Sequence, residues 1–200
     1  VSDAASARRR RDVVVAGHAN DPAPARAALG DDDPSVREVA LGALDRCGEL
    51  DDATLGAALA DPDAGVRRRA IELAATRPHL SLRALLDDAD PTVVEVAAWA
   101  CGEHEVVADD VLHRLIDLAT GANAPLVREA AAAALGAIGD ERGLPAILQA
   151  CADVPAVRRR AVLALAPFEG AEVDAAIERA LADRDWQVRQ AAEDLTRAAG

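Results

Sequence analysis

Lysine, tyrosine and methionine are absent from this 200-residue chain, which holds one Phe and two Trp. All 22 basic residues are therefore Arg, and with the heavy use of Ala, Asp and Gly they point to a GC-rich prokaryotic coding sequence. Lacking aromatic bulk, any interior must be built from Ala, Leu and Val, small side chains that imply closely packed helices. No segment approaches the ~20 apolar residues of a membrane span. Cys47, Cys101 and Cys151 are odd in number and widely separated, which excludes a disulfide framework or a CxxC site and suits buried reduced thiols. Neither a G-x-S-x-G nucleophile turn nor a phosphate-binding loop occurs. A net charge of −13 repels polyphosphates unless charge is sharply segregated, so non-specific nucleic-acid binding is disfavoured. The four arginines at 8–11 precede three valines at 13–15 and mimic an export signal. Asp12 and His18 bracket too short an apolar run, however, and a cytoplasmic protein is expected.

What the chain does contain is a period near thirty. The phrases "DPSVREVALGAL", "DAGVRRRAIELA", "DPTVVEVAAWAC", "APLVREAAAAAL", "VPAVRRRAVLAL" and "DWQVRQAAEDLT" align on Val36, Val66, Val93, Val127, Val157 and Val188. Four residues after each Val stands Ala: Ala40, Ala70, Ala97, Ala131, Ala161 and Ala192. Apolar residues at offsets 0, 4, 7 and usually 8 from the Val form one stripe of a helix, here called helix B. Asp33-Pro34, Asp61-Pro62 and Asp90-Pro91 mark its start, an N-cap acceptor before a proline of the first turn. Upstream lies a shorter amphipathic helix A, as at Leu82, Leu85 and Leu86, and the short connections force antiparallel packing.

A two-helix unit cannot bury its own apolar face, so the units must stack. The spacing predicts an all-α, right-handed solenoid in one domain spanning 1–200. It has a leading helix at 4–18 and six units at about 22–47, 51–75, 78–103, 107–138, 141–167 and 171–199. In the last helix B, Glu193 and Thr196 replace apolar residues, the polar outer face expected of a terminal cap.

"GDERGLPAILQACADVPAVRRRAVLALA" and "DRDWQVRQAAEDL" resemble HEAT-like repeats of the short, phycobilin-lyase type across nearly the whole chain. The resemblance implies a scaffold that binds a protein or peptide partner. It also leaves open an accessory subunit of a phycobilin-lyase-like or other modifying complex, or a nucleic-acid-binding protein of the DNA glycosylase type. The similar deoxyhypusine hydroxylase places iron-binding His-Glu pairs after the Val-Arg of helix B, where this sequence reads Arg37-Glu38 and Arg128-Glu129. His104-Glu105, the single His-Glu pair, follows a helix B near Cys101 and lacks a second half. No enzyme activity, metal or cofactor is expected.

At 100° per residue, the adjacent arginines of "VRRRA" point three different ways. Offset 1 is Arg37, Arg67, Arg128, Arg158 and Arg189. With Asp31, Asp61 and Asp183 six residues earlier in three of these phrases, the resemblance suggests a ladder of Asp–Arg contacts between neighbouring repeats. Val94 interrupts it. At offset 3, Arg69 and Arg160 should lay their stems over apolar surface and leave their guanidinium groups free at the edge. Offsets 2 and 6 should line a concave face, giving Arg68, Glu72, Glu95, Trp99, Glu129 and Arg159 as the candidate binding residues. Trp and Arg dominate protein-binding hot spots, and Trp99 either stands exposed there or folds down on Val94. Trp186 takes the place of a first-turn proline and is expected to be structural. The expected form is a monomer.

Overall fold

The computed structural model describes residues 3–104 and 106–199, and among these there are helices and turns but no strand. Val1–Ser81 forms one compact unit and Leu82–Gly200 another. The first holds α1 (Asp3–His18), α2 (Ala23–Ala28), α3 (Pro34–Arg46), α4 (Asp52–Ala58) and α5 (Ala64–Ala74). Here α1, α3 and α5 pack in succession, with α2 against α3 and α4 against α5. The second opens with a 3-10 helix at Arg83–Asp87 and continues through α6 (Pro91–Gly102), α7 (Asp109–Gly121), α8 (Pro125–Ile138), α9 (Leu144–Ala150), α10 (Pro155–Ala164), α11 (Ala171–Leu181) and α12 (Trp186–Ala199). The B helices α6, α8, α10 and α12 pack one on the next, while α7, α9 and α11 pair with α8, α10 and α12. Each unit is thus a stack of helix pairs, the α-solenoid arrangement that the period requires.

Two local expectations are corrected. Leu82, Leu85 and Leu86 belong to no α-helix: a single 3-10 turn at Arg83–Asp87 presents Leu85 and Leu86 to the core. Five residues suffice to bury two leucines, so the shorter form costs little packing. The N-cap of α5 is Asp63, whose carboxylate accepts from the Gly65 and Val66 amides, and not Asp61. Asp33 and Asp90 do cap α3 and α6, accepting from Ser35 N and Thr92 N, with Pro34 and Pro91 in the first turn.

The core is the predicted stripe. Val36, Ala40 and Leu44, Val127, Ala131 and Leu135, and Val157, Ala161 and Leu165 are all buried. Successive B helices, and the leading helix against the first of them, approach so closely that some positions admit no Cβ. One built on Gly136 would stand 2.6 Å from Ala164 Cα, and one on Gly17 would stand 2.8 Å from Ala43 Cβ. Aromatic side chains at such contacts would force the helices apart, which gives the scarcity of aromatics a structural cause.

Arginines at offset 1 stitch neighbouring helix pairs. Arg37 donates through Nε and Nη2 to Asp61 at 2.9 and 2.7 Å. Arg128 bonds Asp153 and Arg158 bonds Asp183 in the same two-pronged way. The remaining nitrogen, Nη1, turns back onto the arginine's own interhelix loop, reaching the carbonyls of Asp31, Ala122 and Asp153 at 2.7–2.8 Å. Arg158 is buried, 7% exposed, and this full set of charge-assisted bonds offsets its desolvation. The leading helix joins the ladder by another route, since Arg9 of α1 donates to both carboxylate oxygens of Asp31.

Two consequences can be measured. Gly136→Ala should lower stability by about 1–3 kcal/mol through overpacking in urea unfolding. Gly121→Ala, whose added Cβ would meet nothing within 4 Å, should change it little. The second concerns pH. The guanidinium groups of Arg128 and Arg158 hold the carboxyls of Asp153 and Asp183 below the usual range. A depressed folded pKa stabilises the fold fully above the unfolded value of about 4, and that stability is lost as pH falls through the lower folded value. The urea midpoint should therefore decline steeply below about pH 4, and less steeply in Asp183→Asn, which should itself cost about 2 kcal/mol at neutral pH.

Candidate functional site

Within Leu82–Gly200, Glu95 and Trp99 lie one turn apart on α6 and line a groove of about 270 Å³ with Leu126, Glu129, Ala130 and Ala133 of α8 and Arg160 of α10. Trp99 is 45% exposed, so of the two alternatives for it the exposed one holds. Its neighbours on α8 are small because offsets 3 and 6 of that helix, Ala130 and Ala133, are both Ala, which leaves the indole half exposed. Leu126, 39% exposed, adds apolar surface that offset reasoning on positions 2 and 6 overlooked; it stands one residue before the aligned Val. Glu129 Oε1 faces Arg159 Nη2 at 3.5 Å and Arg160 Nε at 3.6 Å. The groove is therefore apolar in the middle and bounded by two carboxylates, one of them loosely shared between two arginines.

The remaining two candidates, Arg68 and Glu72, are exposed on α5 in Val1–Ser81. Glu72 is already engaged, accepting from Arg69 at 2.8 Å. Arg69 and Arg160 thus correct the expectation of free guanidinium groups at offset 3, because a carboxylate on the same or the adjoining helix lies within reach of each. A second groove, of about 360 Å³ within this unit, is lined by Arg10, Arg46 and Arg69 with Glu38. Its arginines give it the opposite rim to the Trp99 groove.

Trp186, expected to be structural, is 65% exposed at the first turn of α12. Trp186 precedes the buried Val188 by two residues, about 200° around the helix, so it points away from the stripe. Cys101 is buried and its thiol is pushed up to about 11 by that burial, so it stays protonated at neutral pH and is no nucleophile. Cys47 and Cys151 are half-buried free thiols. His104 lies just beyond α6 with Nε2 buried, and Glu105 lies outside the described residues. Among the described residues no three His, Cys, Asp or Glu side chains converge as a metal site requires, and no helix is long and apolar enough to cross a membrane.

Comparison with known proteins agrees with this architecture. A model of HEAT repeats matches residues 79–166 and 112–195, together more than half of the chain. No curated protein sequence matches it. Among solved structures, a designed armadillo repeat protein in complex with the peptide (KR)4 is similar at a TM-score of 0.61 and 17% identity, over 90% of this chain and 99% of that one. An engineered protein aligns at 0.57 and 18% identity over 94% and 98% of the two chains. Human deoxyhypusine hydroxylase in complex with glycerol aligns at 0.50 and 20% identity over 98% and 80%. At these identities the likeness speaks for the fold alone.

The exposure of the two indoles is open to direct measurement. In Trp186→Phe, emission from Trp99 should be red-shifted and readily quenched by acrylamide. A blue, poorly quenched emission would show Trp99 packed away.

Proposed function

This chain belongs to the HEAT-repeat family, and from that premise we propose that it is a non-enzymatic binding module whose groove at Trp99 takes a basic peptide segment of a protein partner. The observation that carries this reading is the half-exposed indole on an apolar floor between Glu95 and Glu129. An exposed Trp face attracts a cationic side chain, and carboxylates at its edge add charge complementarity. From residue 82 onward, 21 Asp and Glu stand against 11 Arg, a field that steers basic segments toward this unit. The similar designed armadillo repeat protein holds a (KR)4 peptide, which supports a peptide of this character. Preformed repeat surfaces lose little ordering entropy on binding. We read the whole as one monomeric, cytoplasmic array of six repeats. His-Glu pairs are missing after the aligned valines, which argues against the chemistry of the hydroxylase relative.

The test is a titration of Trp186→Phe with the (KR)4 peptide, followed by Trp99 emission, and in parallel by calorimetry with wild type and Trp99→Ala. Emission should change on binding, affinity should fall at least tenfold in Trp99→Ala, about 1.4 kcal/mol, and rising salt should weaken the complex. Equal affinity of wild type and Trp99→Ala would overturn the assignment of the groove.

A further inference from the structure

The break in the arginine ladder coincides with a groove of about 540 Å³ within Leu82–Gly200. The rungs at Arg37, Arg128 and Arg158 have the same three parts. An arginine one residue after the aligned Val reaches back to a carbonyl of its own interhelix loop and forward to an Asp in the loop of the next helix pair. Between the pair ending in α6 and the pair α7–α8, both side chains of the rung are replaced. Val94 stands where the arginine would be, and Ala122 stands five residues before Val127, where Asp61 precedes Val66 and Asp183 precedes Val188.

Joint replacement is what keeps this junction intact. An arginine opposite Ala122, or an aspartate opposite Val94, would be a poorly paired charge in a semi-buried place. What remains is the volume the guanidinium and its stem fill in the other rungs. Val94 and Ala122 both line the groove, with Leu86 and Leu118 as apolar wall and Asp117 at its mouth. Arg114 also lines it, and its Nε lies 2.7 Å from Asp87, a carboxylate it shares with Arg83. Asp117 is exposed on α7 and is one of the residues that line the groove.

We propose that this groove is a vacated arginine slot, and that it receives an arginine side chain from a basic segment of a partner protein. The chain itself supplies the template: the same loop–helix–loop frame holds Arg37, Arg128 and Arg158, each by its flat fork of donors and its aliphatic stem. Apolar walls take the stem, and the carboxylate of Asp117 takes the guanidinium. The planar fork makes arginine the preferred guest over lysine. Only the basic character of the partner is shared with the Trp99 reading; the site and its residues are different.

The probes are the capped tetrapeptide Gly-Arg-Arg-Gly and its lysine counterpart, titrated into the full chain by amide NMR and calorimetry. The arginine peptide should shift the amides around Val94 and Ala122 and bind at least threefold more tightly than the lysine peptide. Val94→Arg with Ala122→Asp, which rebuilds the rung within the chain, should raise the melting temperature and weaken the arginine peptide at least tenfold. Asp117→Asn, an exposed and conservative change, should weaken it severalfold without altering the melt, and Trp99→Ala should leave it unchanged. Absence of binding to wild type, shifts confined to residues distant from Val94 and Ala122, or undiminished affinity in both Val94→Arg/Ala122→Asp and Asp117→Asn would each overturn the slot. Loss of binding in Trp99→Ala alone would also overturn it and leave the Trp99 groove as the peptide site.

Discussion

Each rung of the ladder ties three backbone segments with one side chain. Arg158 leaves α10, returns one nitrogen to the Asp153 carbonyl of its own loop, and gives two to the carboxylate of Asp183 in the next loop. That carboxylate in turn accepts from the Asp185 amide, so the loop is shaped by the same group that is held. The spacing between helix pairs is therefore set at the loops by a fork of fixed geometry. The helices can then dispense with large side chains and approach through Ala and Gly, as Gly136 does against Ala164. Close approach and stitched loops are two sides of one constraint.

That constraint also shapes the surfaces left for binding. Because the B helices meet through small residues, the few large side chains that do not point inward have little to fold against. Trp99 faces Ala130 and Ala133 across the groove, and its indole stays half exposed for want of a bulky neighbour. Where a rung is missing, at Val94 and Ala122, the frame stays in place and leaves room. The two binding sites proposed for this molecule both lie where the repeat departs from its own rule, at an aromatic among alanines and at an interrupted ladder.

The repeat period, the Val-to-Ala spacing and the arginine at offset 1 were legible because each is imposed by helix periodicity and recurs six times or nearly so. Recurrence separates a structural requirement from chance. The rung through Asp153 was missed because its loop is one residue shorter before Val157 than those at Asp31 and Asp61, which displaces the acceptor in sequence while leaving it in place in space. Arg9 was missed because the leading helix carries no copy of the phrase. Asp61 was misread as a cap, since Asp-Pro is a good cap signal and nothing local shows that Asp63 stands nearer the first free amides.

By itself the sequence determined the helix pairs, their stacking and the identity of the stitching arginines, because each follows from a period and from charge or size at one helical offset. Tertiary structure alone decided how Trp99, Leu126 and the offset-3 arginines are disposed. Their exposure depends on the size of side chains on the adjoining helix and on which carboxylate lies within reach, distances that no periodicity encodes. The same holds for the slot beside Val94. A missing arginine is visible in the sequence, but whether neighbouring helices collapse into the space or leave it open is settled by the loops that hold them apart.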